Sequence, residues 1–456
     1  MNKTTEEQSV ELDSQIRELL GRSASQELNQ LLSSQDAGDL ARAVSFLDEG
    51  SRKELVEQLD TESAADLLEQ LPHVQAFQLI EEAEPAQAAA ILDELPSDLQ
   101  ADFIGEFDTE DAEQVLAAMA PHEAADARRL GSYDPNSAGG LMVAEFLQFP
   151  IAWTIGQVVQ DLQERAAEYR DYEIQYAYVV EASGKLGGVL RLRDLLIEDR
   201  ELPLSEIMIP EPLSVAADEP LESLHGFFLQ HHFIGVPVVD IGGRLIGVLQ
   251  RTDVDQAWIE QQDKSFLKRQ GIVSGEEIRS LPLGVRSRGR LMWLSLNVVL
   301  NLLAAAIISH FEGTLATAIA LTAFLPIISD MSGCSGNQAV AVSIRELMLG
   351  LVKPSDVFHV WRKEIAVGLI NGVCVGTLLG CIAWIWKGSP VLGAVVGVAL
   401  MFNTMVAVSI GGVVPLFLRS IGRDPAVASG PLLTTITDMC GFFLVLSLAS
   451  TFIEYL

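Results

Sequence analysis

From Leu291 onward the sequence is dominated by apolar stretches, at about 291–311, 315–344, 364–386, 390–418 and 430–453. Each reaches the roughly 20 residues that a helix needs to cross the hydrocarbon core of a bilayer. Inside hydrocarbon every backbone amide must be satisfied within its own segment, so the stretches read as five spanning helices. Arg286, Arg288, Arg290, Arg345, Lys353, Arg362, Lys363, Arg419 and Arg423 fall on one side of this array, and Lys387 falls on the other. Lysine and arginine collect on the cytoplasmic side. The expected protein therefore crosses the plasma (inner) membrane several times among its lipids, with the N-terminus cytoplasmic and the C-terminus outside.

Charge is divided as sharply as hydropathy. Residues 1–280 carry 54 acidic and 20 basic side chains, a formal −34, whereas 281–456 carry 8 and 10, a formal +2. An acidic region of this size excludes nucleic acid as a partner, because phosphate binding needs basic surface that displaces counterions. It suits cations, or a solvated face. The opening MNKTTEEQ lacks the apolar core of a signal peptide. Cys334, Cys374, Cys381 and Cys440 all lie in the apolar part without a CxxC pair, and read as small hydrophobes. The sequence holds no nucleophile elbow, P-loop or HExxH, and is not expected to be an enzyme.

The acidic region contains two repeats. LDTESAADLL (59–68), AEPAQAAAIL (83–92) and FDTEDAEQVL (107–116) recur every 24 residues, with LPHVQAFQLI (71–80) and LPSDLQADFI (95–104) halfway between. Each starts with a helix-opening Pro, Asp, Thr or Ser and continues at helical apolar spacing, which predicts short stacked helices over 36–136. Residues 1–35 are polar and read as a less ordered segment. Further on, VVEASGKLGGVLRLRDL (179–195) matches VVDIGGRLIGVLQRTDV (238–254), 59 residues later. Each copy reads as strand, glycine hairpin, strand and an Asp opening a helix. The pair resembles tandem CBS domains over 137–258. That resemblance implies βαββα units that often bind ATP or AMP, with Asp194 or Asp253 on the ribose. A connecting segment, 259–290, leads to the first span through a helix near 275–289.

The spans carry their own polar constellation. LPIISDMSGCSGNQAV (325–340) places Asp330, Asn337 and Gln338 where lipid is expected, and GPLLTTITDMCGFFLVL (430–446) places Asp438 after three threonines. A carboxylate in a spanning helix normally faces water or a partner group. No Lys or Arg lies within the apolar core of either span. Pro326 is expected to interrupt the second span and free a carbonyl near Thr322. Carboxylates, amide oxygens and free carbonyls are hard ligands, so the passenger is expected to be a hard cation rather than a thiophilic one. In the third span Gly368, Gly372, Gly376 and Gly380 form one smooth helix face, read as packing.

Acidic helical repeats, a CBS pair, a connecting helix and five spans together resemble the MgtE family of magnesium channels over residues 40–456. The most specific motifs are PIISDMSGCSGNQ (326–338) and DPAVASGPLLTTITDMCG (424–441). The first departs from the family pattern at Cys334, where asparagine is usual, and at Asp330, where glycine is common. The resemblance implies a homodimer with a pore on its two-fold axis. It implies Mg²⁺ as both substrate and cytosolic regulator. Asp438, Asn337 and the Thr434 backbone would line the pore, with Asp330 as an added carboxylate. Asp218, Glu276 and Glu277 are the expected cytosolic sensor ligands. Two other functions fit the residues: a Na⁺- or H⁺-coupled divalent cation carrier, and a membrane-anchored cation or nucleotide sensor without transport.

Overall fold

The computed structural model describes residues 3–456 apart from 168, 171, 173–175, 270, 273–276, 278–280, 423 and 424, and the side chains of 3–11, 269 and 425–432 are also outside it. The chain divides into two compact units, Met1–Gln261 on one side and Gln262–Glu277 with Leu281–Leu456 on the other.

The first unit opens with short helices from Lys3–Gly21 to Pro121–Leu130. Their spacing is set by capping. Asp36, Asp48 and Asp60 are extended N-caps whose carboxylates accept the amides of Asp39, Ser51 and Ser63 at 3.0, 2.8 and 2.8 Å. Pro72, Glu84, Pro96, Asp108 and Ala120 hold the N-cap position at the same twelve-residue step. Each carboxylate cap stabilises its helix by about 1 kcal/mol. The same step places Leu55, Leu67, Leu79, Ile91, Phe103 and Val115 in one core, all buried. The 24-residue sequence repeat is therefore two turns of a twelve-residue structural one. Residues 1–35 depart from expectation. They form the helices Lys3–Gly21 and Ser25–Ser33, and bury Leu12, Ile16, Leu20, Leu28 and Leu32 in that core. The four-residue spacing of these side chains gives an otherwise polar segment one apolar face.

Two small sheets follow. In the first, β1 (Leu147–Pro150) pairs parallel to β2 (Tyr176–Val180), which pairs antiparallel to β3 (Leu186–Arg191), with β4 (Ile209–Pro210) at the edge. In the second, β5 (Val215–Ala216) pairs parallel to β6 (Gly235–Val239), which pairs antiparallel to β7 (Leu245–Gln250). The duplication extends to defects. Both hairpins shift register at the same point, between Val179 and Val180 and between Val238 and Val239. Both turn on a glycine at positive φ, Gly184 at 81° and Gly243 at 75°, a conformation L side chains avoid. The Leu186 amide donates to the Gly243 carbonyl and the Leu245 amide to that of Gly184, at 3.1 and 3.3 Å, so the two copies join hairpin to hairpin. The helical repeats end against the second copy. Ala101 and Leu130 share its core, and Arg129 donates to the Ile246 carbonyl at 2.8 Å.

Among the described residues of the second unit, five helices are long and apolar enough to cross a membrane. We call them the first span (Leu283–His310), second (Leu325–Met348), third (Val357–Lys387), fourth (Pro390–Ser420) and fifth (Pro425–Thr451). The first two turns of the expected connecting helix that are described, Leu283–Arg290, are continuous with the first span. The second span corrects the reading of Pro326. The chain before it is a short helix, Glu312–Thr317, and a 3₁₀ turn, Ile319–Ala323; Pro326 then sits in the first helical turn. There its missing N–H has no helical partner to lose, so it starts the helix rather than interrupting it.

The glycine face of the third span packs on the fourth. A Cβ at Gly372 would lie 2.7 Å from the Met401 carbonyl oxygen, one at Gly376 2.5 Å from that of Gly397, and one at Gly380 2.8 Å from that of Gly393. The contact is reciprocal, since a Cβ at Gly393 or Gly397 would meet the Gly380 or Gly376 carbonyl. Helix packing of this kind depends on close backbone approach, because lipid supplies no hydrophobic drive between apolar helices.

Candidate functional site

Three spans bring polar groups to one level. The fourth is the most buried, and the second and fifth lie against it. Asp438 of the fifth span is 8% exposed, and its Oδ1 accepts the Ser329 hydroxyl of the second. Thr437, next to it, donates its hydroxyl to the Thr434 carbonyl at 2.9 Å, while its own carbonyl accepts the Asn403 Nδ2 from the fourth span at 3.1 Å. Ser332, Asn403, Thr404 and Thr437 are buried.

The other expected pore residues occupy a second surface. Asp330, Cys334 and Asn337 follow at four- and three-residue steps on one side of the second span, and all three are exposed, as is Thr434. Ser329 and Asp330 are neighbours, so one turn of the second span both holds Asp438 and presents a further carboxylate. The expected set is thus divided into one buried acid, Asp438, and an exposed polar stripe. The residues missed from sequence are Ser329, Ser332, Asn403 and Thr404. The adjacent Asn403–Thr404 pair inside the apolar run 390–418 was the available signal.

The residues expected to form a cytosolic sensor or nucleotide site are scattered. Asp218 is exposed in the turn between β5 and the helix Leu221–Gln230. Glu276 lies outside the described residues. Glu277, whose side chain is 6% exposed, is bound by two arginines: Arg286 donates at 3.1 Å and Arg290 at 3.1 and 2.5 Å. Those hydrogen bonds, that of Arg290 foremost, hold its carboxyl below the usual range. A carboxylate held in this way is an ion-pair partner before it is a metal ligand. Asp194 accepts from the Arg193 guanidinium at 3.2 Å and Asp253 from the Thr252 hydroxyl at 3.0 Å. Neither lines the cavity of about 30 Å³ between the two sheets, walled by Glu145, Tyr176, Tyr178 and Ile234 among others. That cavity is smaller than the several hundred Å³ of a small-molecule site.

Acidic groups do meet where the helical repeats join the second CBS copy. Ser97 donates to Glu145 at 2.8 Å and accepts the Ala144 amide at 2.8 Å. Beside it Asp98 Oδ1 is buried, with no hydrogen-bond partner among the described residues. Burial, and then the negative charge of Asp253, push the Asp98 carboxyl well up, against the Leu99 amide; Asp102 and Glu145 add to the rise. Burial raises Glu145 as well. Among the described residues no group of three or more His, Cys, Asp and Glu side chains is already arranged to hold a metal ion.

Comparison with known proteins agrees with this division. A family model described as a divalent cation transporter matches residues 325–448, one described as the MgtE intracellular N domain matches 35–136, and a CBS-domain model matches 204–260. The magnesium transporter MgtE of Thermus thermophilus is 32% identical over 336 residues, which cover 73% of this chain and 74% of that one. Its counterpart from Bacillus subtilis is 30% identical over 342 residues, 75% of each. Among solved structures, the cytosolic domain of the Mg²⁺ channel MgtE in complex with ATP is similar at 28% identity and a TM-score of 0.49, covering 54% of this chain and 99% of that one.

Proposed function

Because the chain belongs to the MgtE family of divalent cation transporters, we propose that it conducts Mg²⁺ across the membrane as a homodimer, gated by cytosolic Mg²⁺. One observation carries the pore reading: Asp330, Cys334 and Asn337 are exposed on a spanning helix whose neighbouring turn holds Asp438. Hydrocarbon cannot cover a carboxylate and a carboxamide, so water or a second polar surface must. A second copy related by a two-fold axis supplies that surface and closes a hydrated passage. Mg²⁺ gives up its water reluctantly, so a few carboxylates and amide oxygens acting on the hydrated ion suffice. Asp438 supplies the charge at the constriction, Asn337 and the Thr434 backbone line the path, and Asp330 adds a second carboxylate above it. The basic loops support a cytoplasmic acidic unit and a C-terminus outside.

Uptake into liposomes tests this reading. The intact chain is expected to admit Mg²⁺ with no imposed Na⁺ or H⁺ gradient. A strict requirement for either gradient would show a coupled carrier instead.

Gating follows from the acidic junction. In the cation-free protein Asp98, Asp253, Asp102 and Glu145 repel across the joint between the helical repeats and the second CBS copy. A divalent cation there offsets the repulsion and favours the closed joint, from which the chain continues in sequence through the helix Arg251–Arg269. Asp218, exposed in the turn after β5, is a separate candidate ligand; Glu277 acts through Arg286 and Arg290.

The joint has a definite pH sense. The folded protein raises Asp98 above its ordinary value of 3.8, so its contribution to stability is fullest below that value and is lost as pH rises through the raised one. Asp98→Asn removes the charge. It is expected to stabilise the Mg²⁺-free protein at pH 7 by about 1–2 kcal/mol, roughly 2–8 °C in thermal midpoint. It should also reduce the further gain on adding Mg²⁺. An unchanged Mg²⁺ response would remove Asp98 from the sensor.

A further inference from the structure

We propose that Asn403 is a positioning residue for the ion site: its carboxamide, with a buried water shared by Ser332 and Thr404, fixes the part of the fifth span that presents Asp438. The proposal rests on Asp438 acting as the pore carboxylate.

The geometry is a three-helix junction. Asn403 is 0% exposed, and its Nδ2 donates to the Thr437 carbonyl across helices at 3.1 Å. Thr437 precedes Asp438, so this bond fixes the backbone one residue from the carboxylate. Room for it comes from the next turn, where a Cβ at Gly441 would lie 2.5 Å from Asn403 Nδ2 and 3.3 Å from Ile328 Cγ2. On the other side of Asp438, Ser329 supplies the only side-chain bond to the carboxylate itself among the described residues. The acid is thus held from two helices, by its oxygen and by its backbone.

The rest of the junction asks for a guest. Asn403 Oδ1, Ser332 Oγ and Thr404 Oγ1 are all buried, with no hydrogen-bond partner among the described residues. Helix contacts on either side put them at one level. Asn403 meets Gly441 beside Ile328, and Gly336, two turns on in the second span, meets the carbonyl of Ala407, one turn on in the fourth, which brackets Ser332 on the second span and Thr404 on the fourth. Asn403 Oδ1 only accepts, whereas the two hydroxyls both donate and accept. A water donating to the amide oxygen and bridging the hydroxyls satisfies all three, and a polar buried site of this kind is hydrated rather than dry. The pairing also explains an asparagine amid the valines and alanines of the fourth span. Leaving such a group unsatisfied would be costly, so its retention needs both ends of the carboxamide engaged.

The test uses the full chain in liposomes and reads the half-saturating Mg²⁺ concentration, the maximal flux and the ratio of Mg²⁺ to Co²⁺ uptake. Asp438→Ala is the reference. Asn403→Leu keeps the branching at Cγ and loses both polar contacts; Thr404→Val and Ser332→Ala disturb only the water. Asn403→Leu is expected to raise half-saturation and shift the cation ratio at least 5-fold, and the two milder variants to move the same quantities in the same direction by about 2-fold. A merely structural role would lower the amount of folded protein and the maximal flux but leave both of those quantities alone. If Asp438→Ala changes them and none of the three variants does, the positioning role is wrong. If Asp438→Ala itself leaves them unchanged, the pore reading beneath it has failed. Should Asn403→Leu not fold, Thr404→Val and Ser332→Ala decide: unchanged values in both overturn the proposal.

Discussion

Asp438→Ala is expected to reduce Mg²⁺ uptake by about 100-fold or more. Hydrogen bonds from ordered water on a cation to an ionised acceptor are worth ~1.5–3 kcal/mol each, and a two-fold passage loses one from each copy. Every 1.4 kcal/mol is tenfold, so losing two such contacts reaches that range. Asp438→Asn separates charge from shape. It keeps an oxygen that can accept the Ser329 hydroxyl, and so preserves the contact between the second and fifth spans. Flux by the asparagine variant close to that of the alanine variant, with both proteins well folded, assigns the effect to charge. Full uptake by either variant would mean that the ion does not pass this residue.

A second large effect is expected at the seam of the third and fourth spans. Gly376→Leu would drive a side chain into the Gly397 carbonyl, where even a Cβ has 2.5 Å. Backbone cannot withdraw as a flexible side chain can, so the helices must separate along the whole glycine face. The cost is on the order of 3 kcal/mol, the upper part of the range for overpacked cores. The measurement is the fraction recovered as a monodisperse species after detergent extraction, with its thermal midpoint. Gly284→Leu is the control, because no neighbouring atom lies within 4 Å of a Cβ there. Equal recovery of the two variants would show that the seam is not tightly packed. The seam bears on function because Asn403 and Thr404 ride on the fourth span that it anchors.

Much of this architecture was legible because it is local or periodic. The five spans follow from the lengths of apolar runs, the duplicated hairpins from a 59-residue repeat, and the glycine face from a four-residue step. In each case neighbouring residues along the chain carry the information. The twelve-residue register of the helical repeats was half visible, since the copies open variously on Asp, Pro, Glu or Ala and share little else. The helices within residues 1–35 were missed because five apolar side chains at helical spacing were outweighed by the polar residues around them. Pro326 was misjudged for a related reason. A proline inside an apolar run looks like an interruption until the preceding 3₁₀ turn shows that the helix begins there.

The polar residues of the spans divide along the same line. Composition alone marked Asp330 and Asp438 as costly in a membrane, and that cost made them functional candidates. Composition could not say that Asp438 is held by Ser329 while Asp330 stands exposed one residue further on. It also could not show that Asn403, more than thirty residues from Asp438 in sequence, binds the carbonyl beside it. Likewise, the acidity of the first 280 residues suited cations or a solvated face alike, and only the fold brings the charge of Asp253 to bear on Asp98 and commits Glu277 to two arginines. The cost of a buried charge is a property of the residue and can be read from the chain. Which group offsets that cost depends on which helices meet, and that is fixed only when the chain has folded.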